Sequence, residues 1–163
     1  MLSCGRGPRQ AEAMVELTRD IIEAGSLTDR VRSHEAGAVV VFLGTVREFT
    51  SGKQTVSLEY EAYPEMASRK MNELEQEARN QWPIVQSLIV HRVGRLALGD
   101  VSVGIAVSCP HRREAFEACQ FMIDRIKEVV PIWKCEHWAN GEKEWVHPGL
   151  DEVLKPARPA NQA

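Results

Sequence analysis

Five basic side chains have types and positions that suit the binding of an anion. Arg47 ends an apolar segment, His111 and Arg112 open a helical pattern, Lys127 lies near the end of that pattern, and Lys134 lies in the segment that follows. Pockets in sheet proteins often form where strands end. An arginine beside a helix start can hold a phosphate through paired hydrogen bonds and backbone N–H donors. The spacing therefore predicts an anion site, although a solvated helix terminus would explain the same residues without a function.

The two lysines are candidates for proton transfer, which a lysine performs when burial or nearby positive charge lowers its pKa. Lys127 leaves its helix beside the apolar stripe. Strand alternation places Lys134 on one face with Glu136 and turns Cys135 to the other face. An edge strand protected by charge is the alternative interpretation of Lys134.

Two Cys-x-His pairs, Cys109 with His111 and Cys135 with His137, match the number of ligands in a structural zinc site. Their spacing differs from the usual zinc spacings, and buried free cysteines are common in protein cores. We therefore expect no metal site, with a small zinc protein as the alternative. A nucleophilic role for Cys135 has little support, because only a neighbouring lysine favours its thiolate.

The elements that position these residues are predicted from periodicity and from proline and glycine signals. Residues 11–24 have the spacing of an amphipathic helix, and residues 37–47 form an apolar run typical of a central strand buried on both faces. Residues 55–62 alternate, with Val56, Leu58, Tyr60 and Ala62 on one side, and residues 51–53 resemble a hairpin connection before them.

The second half of the chain repeats this alternation of helices and strand pairs. A long helix is predicted from Pro64 to the tryptophan before Pro83, followed by strands over residues 84–93 and 101–108. A third helix covers residues 112–129, with Phe116 on its apolar stripe, and a hairpin at Asn140-Gly141 joins strands over residues 132–138 and 143–147. The order predicts an α+β fold, a mixed or antiparallel sheet covered by about three helices with a C-terminal β-hairpin.

Length and composition exclude several classes of protein. The chain has 163 residues, 44% hydrophobic, with a net charge of −3, which indicates one folded domain and disfavours disorder or a nucleic-acid coat. The domain is expected over residues 11–147, between flexible ends at 1–10 and 148–163. The chain contains no apolar run of about 18 residues, the length typical of a membrane-spanning helix. Four cysteines in a chain of this length do not form a disulfide framework, so we expect a cytoplasmic protein. Nucleotide-binding motifs are absent, and no cofactor is expected.

Several uncommon blocks occur in one order and resemble one family. GAVVVFLGTVR, EYEAY, HRVGRLALGD, VSVGIAVSCPHRREAFEAC and IKEVVPIWKCE are similar to the large, catalytic subunit of molybdopterin synthase over residues 36–147. The resemblance implies a hammerhead-like α/β domain. It also implies an enzyme of molybdenum cofactor biosynthesis that adds two sulfurs to cyclic pyranopterin monophosphate.

The resemblance further implies partners and site residues. The sulfur would arrive as a thiocarboxylate on the C-terminal Gly-Gly of a small ubiquitin-like subunit, in a heterotetramer built on a dimer of large subunits. The implied catalytic residues are Lys127 and Lys134. The implied substrate contacts are Thr45, Val46, Arg47, His111, Arg112, Lys127, Lys134, Cys135 and Glu136.

One position departs from the family, which commonly has a second basic residue where this chain has Cys135. Because alternation turns this side chain away from Lys134, we expect the pocket to survive the change. A non-catalytic module that binds a phosphorylated ligand in the same basic pocket is the main alternative to the enzyme.

Overall fold

The structure, a computed structural model, describes residues 14–146. Within this range the chain forms three helices and nine strands. Their order is β1 (Met14–Thr18), α1 (Ala24–Val31), β2 (Ala38–Thr45), β3 (Phe49–Thr50), β4 (Lys53–Ala62), α2 (Pro64–Gln81), β5 (Gln86–Arg92), β6 (Gly94–Ala97), β7 (Val101–Cys109), α3 (Arg112–Val129), β8 (Ile132–Trp138) and β9 (Lys143–Val146).

The first sheet has the strand order β1-β5-β7-β2, in which only the β1–β5 pair is parallel. Strand β7 alternates between two apolar layers. Val103, Ile105 and Val107 face the main core together with α2 and α3. Ala106 faces a smaller core with Leu27 and its neighbours on α1. The sheet is therefore covered by two helices on one face and one helix on the other.

The second sheet is antiparallel and follows the order β3-β4-β8-β9, with β6 also paired to β4. Its β8–β9 hairpin is the predicted one, and the predicted bounds of α2 and α3 are also confirmed. The α+β class is confirmed as well. Among the described residues, no helix is long and apolar enough to cross a membrane.

The predicted helix over residues 11–24 is wrong. Its described part contains strand β1, and α1 begins only at the end of the predicted segment. Val15 and Leu17 pack against the main core, while Met14 packs against the smaller core on the opposite face. This alternation satisfies both layers only when the segment is extended and paired with β5.

The prediction of a central strand over residues 37–47 is also wrong in position. Strand β2 lies at the end of its sheet, with β7 as its only strand neighbour in the described chain. Val39 is 36% exposed, and the rest of the strand is mostly half-buried. The central places are taken by β5 and β7, because β1 supplies an extra strand on the far side of β5.

Four smaller expectations are corrected. Val56 is 48% exposed because the register of β4 shifts between Thr55 and Ser57, which turns Val56 away from the predicted inner face. Phe116 is 63% exposed and does not belong to the apolar stripe of α3. Strand β6 lies within the predicted connection after β5, and the hairpin at residues 51–53 joins β3 to β4. The ends of the predicted domain, including His147, lie outside the described residues.

A close backbone approach next to β2 gives a test of the packing. A Cβ added at Gly37 would lie 2.4 Å from the carbonyl oxygen of Pro110. Because backbone moves less readily than a side chain, we expect Gly37→Ala to lower the free energy of unfolding by about 1–3 kcal/mol in urea denaturation. Gly25→Ala is the control, since a Cβ there meets nothing within 4 Å. Equal unfolding midpoints for both variants would contradict the packing.

Candidate active site

A cavity of about 310 Å³ lies between the two sheets, beside the C-terminal half of α3. Strands β2, β5 and β7 supply one wall, β4 and β8 supply the opposite wall, and α3 closes the side. The lining residues are Phe42, Gly44, Thr45, Arg47, Thr50, Leu58, Tyr60, His91, Ser102, Val103, Ile123, Ile126, Lys127, Val130, Ile132, Lys134 and Glu136. The mixture of apolar walls and convergent polar groups is typical of a small-molecule site.

Three cations from different elements meet at this cavity. Arg47 follows the end of β2, Lys127 lies in the last turn of α3, and Lys134 lies in the middle of β8. Arg47 and Lys127 are exposed, whereas the side chain of Lys134 is only 18% exposed. The cavity therefore presents positive charge at two accessible positions and at one partly dry position, that of Lys134. Positive charge acts more strongly on an anion at the partly dry position.

Glu136 is the one acidic residue among the described residues that line the cavity. Its side chain is 2% exposed, and its Oε1 accepts a hydrogen bond from Lys134 Nζ at 3.3 Å. Its Oε2 accepts a hydrogen bond from the buried Thr55 hydroxyl at 2.9 Å. Two donors thus satisfy a carboxylate that would otherwise be costly to bury.

Neutral polar groups form a second part of the lining. The Nδ1 of His91 lies 3.0 Å from the carbonyl oxygen of Arg92, to which it donates in the neutral ring, and the imidazole packs edge-on against Tyr60 at 5.2 Å between ring centroids. Burial lowers the pKa of His91 to about 4, so the ring is uncharged at neutral pH. Burial also raises the pKa of Tyr60, an effect that Ser102 and the charge of Lys134 partly offset.

The predicted site residues divide into two groups in the structure. The cavity brings together Thr45, Arg47, Lys127, Lys134 and Glu136. Val46 and Cys135 do not line it. The side chain of Val46 is buried with Leu58 and Leu96, and Cys135 lies on the opposite face of β8 beside its β9 partner Trp145. The predicted direction of Cys135 is therefore confirmed.

His111 and Arg112 lie far from the cavity of the same chain. Both are exposed at the N-terminus of α3, whereas Lys127 lies in its last turn. Fifteen residues of α-helix separate Arg112 from Lys127, a distance of about 22 Å along the helix axis. His111 and Arg112 of one chain therefore do not reach the cavity of that chain.

The cysteines of the described range are buried and free. Burial raises the pKa of Cys109 to about 11 and that of Cys119 to about 12. The pKa of Cys135 is also raised, by burial first and then by the charge of Glu59. These thiols are protonated at neutral pH and are poor nucleophiles. No group of three or more potential metal ligands occurs among residues 14–146.

Sequence reasoning missed His91, Tyr60, Ser102 and Thr55. Each lies inside a strand, where no local motif marks a site. A histidine in the apolar segment QSLIVHR was an available signal, because a buried imidazole needs a polar partner.

Comparisons with known proteins agree on one family. The family model described as MoaE protein matches residues 17–129. The molybdopterin synthase catalytic subunit of Halalkalibacterium halodurans is 51% identical over 128 residues, covering 78% of this chain and 81% of that protein. The corresponding Bacillus subtilis protein is 44% identical over 141 residues, covering 86% and 89%. The crystal structure of molybdopterin synthase from Staphylococcus aureus has a TM-score of 0.76 and 43% identity, covering 80% of this chain and 94% of that one.

The buried imidazole predicts a pH dependence of stability. His91 takes up its proton near pH 4 when folded, but near pH 6.5 when unfolded. Between these values the unfolded chain binds more protons, so the free energy of unfolding should fall as the pH is lowered from about 6.5 to about 4. The contribution of this residue is at most about 3 kcal/mol.

Urea denaturation across this pH range measures the effect. We expect His91→Gln to flatten the dependence and the exposed control His34→Gln to keep the wild-type slope. Identical slopes for wild type and His91→Gln would show that the imidazole is not held neutral.

Proposed function

The chain belongs to the MoaE family, and we propose that it is the catalytic subunit of a molybdopterin synthase, acting as a sulfurtransferase. Its substrate would be cyclic pyranopterin monophosphate. The sulfur would come from the C-terminal thiocarboxylate of a small ubiquitin-like subunit whose Gly-Gly tail enters the cavity. The product would carry the dithiolene that later holds molybdenum.

The observation that carries this proposal is the convergence of Arg47, Lys127 and Lys134 on one cavity with apolar walls. Both reactants are anions, since the pterin carries a phosphate and the tail ends in a thiocarboxylate. Positive charge is therefore needed twice, once to hold the substrate and once to offset the charge of the incoming sulfur. Groups already oriented in a partly dry site provide this without reorganising at the moment of reaction.

The residues suit different parts of the reaction. The guanidinium of Arg47 is permanently charged and planar, which suits an anchor for the phosphate or the tail carboxyl group. Lys127 and Lys134 carry protons that can be donated or accepted as sulfur adds to the pterin and the acyl group is lost. Lys127 lies on the same side of α3 as Ile123 and Ile126, so its amine meets the substrate beside an apolar surface.

The position of His111 and Arg112 is explained by a dimer. A residue at the N-terminus of α3 cannot reach the cavity of its own chain, but the family resemblance implies substrate contact for this pair. We therefore propose that each copy of the chain contributes His111 and Arg112 to the cavity of the other copy. In a two-fold symmetric dimer the same surface of each copy faces the other, so a contribution from one copy to the cavity of the other is made twice.

Replacement of Lys127 tests the enzymatic proposal. We expect Lys127→Ala to reduce formation of dithiolene product by at least 100-fold, roughly the contribution of a general acid or base. The assay combines the purified chain, the thiocarboxylated partner and the pterin substrate. Lys70→Ala is the control, because Lys70 lies on α2 outside the cavity and pairs with Glu73.

Full turnover by Lys127→Ala would remove Lys127 from the reaction. Binding of the pterin without any product from the wild-type chain would favour the alternative of a non-catalytic binding module. Stoichiometric zinc in the purified protein would favour the small zinc protein.

Mixing two inactive variants tests the shared site. Arg112→Ala and Lys127→Ala would each damage both cavities of a homodimer, but a mixed dimer would contain one intact cavity. After subunit exchange at equal amounts, we expect activity to recover to about a quarter of wild type. A mixture that exchanges subunits but stays as inactive as its components would overturn the shared cavity.

A further inference from the structure

The β-bulge in β4 changes which side chain faces the cavity side of the second sheet. Thr55 lies opposite Trp138 of β8, and after the shift Ser57 lies opposite His137. In a regular strand, alternation from Leu58 would place Val56 on the cavity side. The bulge turns Val56 outward and Thr55 inward, so that a hydroxyl takes the place of an isopropyl group.

The inward hydroxyl of Thr55 forms a hydrogen bond with the Glu136 carboxylate. Thr55 is 1% exposed, and its Oγ1 donates to Glu136 Oε2 at 2.9 Å. The other carboxylate oxygen of Glu136 accepts from Lys134 Nζ at 3.3 Å. The threonine thus holds one oxygen of the carboxylate while the lysine holds the other, and a charged buried acceptor makes each bond stronger than a neutral one.

Other charged and titratable groups of the described residues lie around Lys134, and Glu136 is the carboxylate among them that contacts it. Tyr60 from β4 and His91 from β5 line the same cavity, and the remaining cations there are Arg47 after β2 and Lys127 on α3. From β9, Glu144 is the neighbour of Glu136 in register, but its carboxylate accepts from Trp138 Nε1 at 3.2 Å and pairs with Lys53. Among the described residues, Glu136 is therefore the carboxylate that pairs with Lys134.

We propose that Thr55 is a positioning residue for sulfur transfer, which fixes the Glu136 carboxylate so that the Lys134 ammonium points at the substrate. The proposal rests on the proposed function, because Lys134 is taken as a group that exchanges a proton with the reactants. Thr55 itself does not line the cavity and touches no substrate.

Replacing the hydroxyl by a methyl group tests the proposal with little change in volume. In Thr55→Val, one buried oxygen of Glu136 loses its donor, and the carboxylate turns or takes up a proton. Lys134 then loses its orientation and part of its balancing charge. We expect kcat to fall about tenfold, the scale of a lost hydrogen bond to a charged group, with KM changed by less than about threefold.

The pH–rate profile separates positioning from a structural role. Because the carboxylate that contacts Lys134 is displaced in Thr55→Val, the pH–rate profile of this variant should differ from that of the wild type. Thr55→Ser keeps the hydroxyl and should restore both kcat and the profile. Ser57→Ala is the matched control, since this neighbouring hydroxyl is also buried but has no hydrogen-bond partner among residues 14–146.

A chemical readout tests the same arrangement without turnover. Acetylation of Lys134 by limiting acetic anhydride, followed by peptide mass spectrometry, reports how readily its amine reacts. We expect acetylation several-fold faster in Thr55→Val than in wild type, Thr55→Ser or Ser57→Ala. If the wild-type chain transfers no sulfur but acetylation changes in this way, the proposed function fails and the positioning by Thr55 stands.

Two results would overturn the inference. One is a folded Thr55→Val variant with the wild-type kcat, pH profile and Lys134 acetylation rate. The other is an equal loss in Thr55→Val and Thr55→Ser, which would assign the effect to packing and not to the hydroxyl.

Discussion

The ion pair between Lys134 and Glu136 is the interaction on which the rest of the cavity depends. Among residues 14–146, three cations and one carboxylate line the cavity, and the most buried of these cations is the one that the carboxylate contacts. This pairing limits the cost of burying Lys134. Arg47 and Lys127 keep their charge for the anions that enter. The cavity is thus stable when empty and still positive toward a substrate, although the whole chain carries a net charge of −3.

The surrounding framework keeps these groups at fixed positions. Helix α2 is anchored to β5 by the fully buried Glu75, which accepts hydrogen bonds from Arg79 and Ser87. The same strand carries His91 in the cavity wall, one residue before its end. Helix α3 packs beside α2 on the same face of the first sheet, and its last turn brings Lys127 to the cavity. Rigid elements therefore carry the polar groups, which limits their reorganisation when substrate binds.

The sequence predicted the helices α2 and α3 and the β8–β9 hairpin because local signals determine them: Pro64, Pro83, Pro131 and Asn140-Gly141 mark their limits. The segment before α1 fits both helical and strand periods, and only its parallel pairing with β5, far along the chain, decides for a strand. Arg47 and Lys127 are predicted from their places near element ends and Lys134 from strand alternation after Pro131, whereas Thr55 is not predicted. A bulge reverses alternation without a local signature.

The cysteines show why the cavity supplies charge and orientation without a nucleophile. A thiol attacks only as its thiolate, and burial raises the pKa of the three cysteines in the described range. Cys135 is adjacent to Lys134 in sequence, but strand alternation separates the two side chains by the thickness of the sheet. In the proposed reaction the sulfur nucleophile arrives from outside, and a thiocarboxylate is ionised at neutral pH without help from the protein. The basic cavity is suited to receive such an anion, so the proposed sulfur transfer asks for no thiolate from these three cysteines.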